Sequence, residues 1–98
     1  HLLQRGEMMK PDSRRLLSQM GLIQGWILDN DPGDDLIICH FGMGNPTIQI
    51  RAEFAEKLDL VSDENTRIPH THTQHNTAHH EGIVFNWITP NKYWKGLE

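Results

Sequence analysis

The stretch Leu22-Ile23-Gln24-Gly25-Trp26-Ile27-Leu28, then Asp29-Asn30-Asp31-Pro32-Gly33-Asp34-Asp35, then Leu36-Ile37-Ile38-Cys39-His40-Phe41-Gly42 decides the fold. Two apolar runs rich in β-branched residues flank a Pro-Gly turn, the strongest hairpin signal in the chain. Both runs are apolar at nearly every position, which reads as central strands covered on both faces. Upstream, residues 11–20 read as a short helix. Pro11 suits its first turn, Asp12 or Ser13 can cap it, Leu16, Leu17 and Met20 share a face, and Gly21 supplies a stop.

Downstream, Ile48, Ile50, Ala52 and Phe54 alternate with Thr47, Gln49, Arg51 and Glu53, a period of two that predicts a half-exposed strand to about Phe54. A short helical turn follows it. Residues 82–89, from Gly82 to Thr89, form a last strand ended by Pro90. Between these elements lies a long polar loop, residues 62–81, of a length that suits function or an extended hairpin. The expected fold is therefore α+β: a short N-terminal helix packed on a four-stranded, mostly antiparallel sheet, with room to curl toward a small barrel. Residues 1–98 make a single domain, with a C-terminal tail at 90–98.

Composition narrows the function classes. The chain has 98 residues, 37% of them hydrophobic, and a mean hydropathy of −0.57. No stretch approaches the ~18 consecutive apolar residues of a membrane span, so no membrane partner is expected. One cysteine, Cys39, excludes an internal disulfide and any paired-cysteine zinc or redox site. Its unpaired state and the lack of a leader pattern lead us to expect a cytoplasmic protein. His1 and Leu97-Glu98 resemble vector-derived ends and carry no functional argument.

The net charge of −4 is unevenly spread. Residues 1–28 sum to +2, residues 29–64 to −7 and residues 65–98 to +1. No basic run is present to neutralise phosphates, so nucleic acid is not an expected partner.

Histidine is the compositional anomaly: seven in the chain, five of them between His70 and His80. The segment His70-Thr71-His72-Thr73-Gln74-His75-Asn76-Thr77-Ala78-His79-His80-Glu81 is the candidate metal site. Its candidate ligands are His70, His72, His75, His79, His80 and Glu81, for zinc or another divalent transition metal. In an extended chain His70 and His72 share a side, and a returning strand can bring His79 or His80 opposite. In a helix His72, His75 and His79 stack instead. Thr and Asn are poor helix formers and favour the extended form. Glu81 is then a fourth ligand or a base for metal-bound water. A plain solvated loop is the competing reading.

The acidic run 29–35 has a histidine, His40, where a calcium loop needs its twelfth-position Glu, so it reads as a turn. Cys39 and His40 are adjacent on a strand and point to opposite faces, so they cannot pair as nucleophile and base. Trp26 and His40 are candidate ligand-binding residues. Trp87, Tyr93 and Trp94 are candidate interface aromatics.

Two family resemblances are short. His79-His80-Glu81-Gly82 with Asn86-Trp87-Ile88-Thr89-Pro90-Asn91 resembles, over about thirteen residues, the paired-histidine run of HNH-type nucleases. It implies a histidine base beside a divalent metal. The spacing from His80 to Asn86 is too short for that family's hairpin, and no third histidine follows Asn91. His70-Thr71-His72 with Tyr93 resembles HUH single-strand nucleases, but Thr and Gln surround the pair where that family has apolar residues.

The leading expectation is a homo-oligomeric, non-catalytic binding or interaction protein whose histidine segment is its working surface, with a protein or small-molecule partner. The alternative is a metal-dependent hydrolase or nuclease that uses His70–His80 with Glu81 as base.

Overall fold

Residues 22–28 are helical. In the computed structural model, which describes residues 9–67 and 73–90, helix α1 runs Pro11–Asn30 without a break at Gly21. The expected first strand is thus the second half of α1. The reason lies in the pattern: Ile23 and Trp26 face the core while Ile27 and Leu28 face outward, so an apolar residue stands on both sides and hides the 3.6-residue period. Pro11 opens the helix, as expected. Its stop is Asp31, in the left-handed conformation at φ 44°, whose N–H donates to the Ile27 carbonyl at 2.8 Å. The Asn30 side-chain amide also donates to the Trp26 carbonyl, at 2.9 Å.

The acidic run is therefore a helix cap and a short 3-10 turn, Gly33–Asp35, rather than a hairpin turn. Its backbone holds Arg51. The Arg51 N–H donates to the Asp35 carbonyl at 2.9 Å, the Arg51 guanidinium donates to the Asp34 carbonyl at 3.1 Å, and the Asp35 carboxylate stands 3.9 Å away.

The strands are β1 (Leu36–His40), β2 (Thr47–Ile50), β3 (Glu64–Arg67), β4 (Thr73–His80) and β5 (Ile83–Pro90), with a short helix α2 (Ala52–Lys57) between β2 and β3. Their order across the sheet is β1-β2-β5-β4-β3. Three neighbouring pairs are antiparallel and β2–β5 is parallel. The class is α+β, with a long helix in place of the short one. The sheet is open rather than closed into a barrel, and the short β3 extends it at one edge. β1 is the other edge, so Ile37 and Ile38 are exposed instead of covered on both faces. β2 ends at Ile50 and α2 starts at Ala52, a few residues before the expected change at Phe54. The long polar loop contains β3 and β4, paired as an extended hairpin.

Register explains the core. Cys39 pairs with Ile48, Ile48 with Phe85 and Phe85 with Ala78, which sets one row of side chains on the helix side of the sheet. Ile48 and Phe85 are fully buried there. Trp26 of α1 closes over this row, its ring 5.5 Å from Phe85 and edge-on to Phe54 of α2 at 5.9 Å. The buried Gln19 of α1 ties the β1–β2 loop to the helix: its amide donates to the Gly42 and Gly44 carbonyls and accepts from the Gly42 N–H. Among the described residues no helix is long and apolar enough to cross a membrane.

Candidate functional site

β4 divides the histidines between the two faces of the sheet. Ala78 faces the core, so His80, two residues on, lies on the helix side, whereas His75 and His79 lie on the open side. His75 and His79 are four residues apart on one strand, a separation of ~13 Å that no single ion can bridge. Among the described residues, no three of His, Cys, Asp and Glu come together as a metal would require. His70, His72, Tyr93 and Trp94 lie outside the described residues.

Each described histidine has its own setting. His79 meets Asp63, whose carboxylate accepts from the His79 backbone N–H at 2.7 Å and stands 3.1 Å from His79 Nδ1. Asp63 also donates its own N–H to the Thr77 carbonyl at 2.7 Å. The backbone bond from His79, then its ring, hold the Asp63 carboxyl below the usual carboxylate range. His75 opposes Ile88 in the ladder and lines a shallow cleft of about 220 Å³ with Gln49 and Asn86. His40 closes β1 on the same open face, exposed.

Trp26 and His40, expected together, are on opposite faces of the sheet. Cys39 faces the core, and burial pushes its thiol pKa up, which suits a small apolar filler. Trp87 is buried in the core at 7% exposure, so its place is inside the subunit rather than on an exposed aromatic patch.

The residues that do come together are Trp26, His80 and Glu81. The β4–β5 turn folds against the second half of α1, and two adjoining clefts of about 220 and 230 Å³ separate them. Trp26, Asp29 and Asn30 line both clefts from the helix, and His80 and Glu81 line both from the turn. His80 Nε2 is 3.7 Å from a Glu81 carboxylate oxygen. Gly21 and Gly25 leave the helix wall bare on the first cleft, with open space where a Cβ would stand.

Glu81 and Gly82 both have positive φ, 51° and 82°, as a two-residue turn between antiparallel strands requires. Gly suits this geometry and Glu does not, so the carboxylate stands at the mouth of the cleft at a conformational cost. Asp29 and Asn30 were missed by the sequence reading. Their spacing of three and four residues from Trp26 puts them beside it only if residues 22–30 are helical.

No protein-family model, no curated protein and no solved structure matches this chain.

Proposed function

We propose that the chain is a small homo-oligomeric binding protein whose ligand site is the cleft between α1 and the β4–β5 turn. The observation that carries this reading is the convergence of Trp26, His80 and Glu81, with Asp29 and Asn30 beside them. An indole, an imidazole and two carboxylates suit a small polar ligand such as an organic ammonium ion, which the carboxylates and the aromatic ring both favour. The strained Glu81 supports the same reading, because an unfavourable backbone conformation tends to be kept where its side chain is used.

The test is a titration with a panel of small organic ammonium ions followed by backbone and indole amide NMR shifts, on wild type and on His80→Ala. Saturable shifts at Trp26, His80, Glu81 and Gly82 that vanish in His80→Ala are expected. Ammonium ions that instead shift His75 and His79, or that bind His80→Ala equally well, overturn the cleft as the site.

A further inference from the structure

Helix α1 is apolar on more of its circumference than the core uses. Ile23 and Trp26 face inward, yet Leu16, Leu17, Met20, Ile27 and Leu28 are all exposed, Leu17 at 53%, Met20 at 50% and Leu28 at 75%. A helix with apolar residues on both sides is normally covered on both sides. The outward residues are not scattered. Leu17, Met20, Gln24 and Ile27 follow one another at spacings of three, four and three, the a/d pattern of a coiled-coil seam, with Leu16 and Leu28 widening it on its two flanks. The same pattern continues through Ser13 at one end and Asp31 at the other.

The charges say what covers this seam. At the start of α1 Asp12 pairs with Arg15 at 3.1 Å and leaves Lys10 and Arg14 in excess, while Asp29 and Asp31 stand at its end, followed by Asp34 and Asp35. The last turn carries no basic residue. This is the reverse of what the helix dipole favours: cations near the positive end, anions near the negative end. In an antiparallel pair of such helices, each basic start lies against the other's acidic end, and the unfavourable placement becomes complementary.

We propose that two copies of this chain pair through α1, antiparallel, along the Leu17–Met20–Gln24–Ile27 seam. The proposal rests on the homo-oligomeric part of the reading above and names its surface. A twofold axis between Met20 and Gln24 sets Leu17 against Ile27 of the partner subunit and Met20 against Gln24 of the partner subunit. Ser13 and Lys10 then lie beside Asp31 of the partner subunit.

The test is sedimentation equilibrium on the full chain up to about 500 µM, with far-UV circular dichroism to verify folding. Leu17→Glu, Lys10→Glu, Asp31→Lys and the Lys10→Glu/Asp31→Lys double variant are compared with wild type. Wild type is expected to dimerise, and Leu17→Glu to weaken the dimer by at least about 100-fold, since each dimer would bury two unpaired charges. Each charge variant should weaken it several-fold at low salt, and the double variant should restore it. A dimer indifferent to Leu17→Glu overturns the seam and leaves the homo-oligomeric reading standing. A double variant no stronger than either single one overturns the antiparallel arrangement. A monomeric wild type overturns both the seam and the homo-oligomer, and points to another protein or the chain's own ends as the cover. Should Leu17→Glu fail to fold, Leu28→Glu, at the most exposed position of the stripe, reads the same contact.

Discussion

Asp63 shows how one carboxylate can fasten an element without being buried. It sits outside the β4 ladder, accepts the His79 N–H and faces the His79 ring, while its own N–H holds Thr77. Its carboxyl pKa is lowered from the ordinary 3.8, first by the backbone bond from His79 and then by the ring. A group whose pKa is lower folded than unfolded stabilises the fold above the unfolded value, and that contribution is lost as pH falls through the folded value. The clamp is therefore in place at neutral pH and released only below the ordinary carboxylate range. A carbon-detected NMR titration of Asp63 should give a midpoint under 3.8. In His79→Ala the midpoint should stay depressed, though less so, because the main donor is the main-chain N–H and survives the substitution. A midpoint at or above the ordinary value in wild type would show that the clamp does not form.

The β4–β5 hairpin carries the clearest local conflict among the elements. Glu81 adopts φ 51° at a turn position where Asn or Gly is at ease. Glu81→Asn should stabilise the fold by about 1 kcal/mol, raising Tm by ~4–8 °C for a domain of this size, while weakening whatever the cleft binds. A melting curve checks the first effect; an unchanged or lower Tm would mean that the left-handed turn is not adopted. The same hairpin marks the limit of what the sequence reveals. β5 was legible because Ile83, Phe85 and Trp87 alternate inward between Gly82 and Pro90. β4 was legible only as an extended alternative to a loop, because a strand with polar residues on both faces, such as His75 outward and the buried, hydrogen-bonded Asn76 inward, has no apolar period. The second half of α1 failed for the opposite reason, apolar residues on both sides. With it went Asp29 and Asn30, so of the cleft only Trp26, His80 and Glu81 could be named from residue type, and their meeting could not.

The whole molecule depends on one non-local junction. β2 and β5 are separated by more than thirty residues in sequence yet pair in parallel at the middle of the sheet, and the Ile48–Phe85 pair lies at that junction. Phe85 also contacts Trp26, so the same ring joins sheet to helix. Neither half of the structure has a substitute for it: α1 places only Gln19, Ile23 and Trp26 in buried positions, and the β4–β5 hairpin alone is too small to be stable. Phe85→Ala should cost roughly 3–5 kcal/mol, against a total stability for a chain of this length on the order of 5–15 kcal/mol. Because one side chain serves both layers, the loss should appear in both. In a urea titration, helix content by far-UV circular dichroism and indole fluorescence should shift together to a lower midpoint, in a single transition. Separate transitions for helix and sheet, or a midpoint close to wild type, would mean that α1 holds to the sheet through contacts other than the Trp26–Phe85 pair.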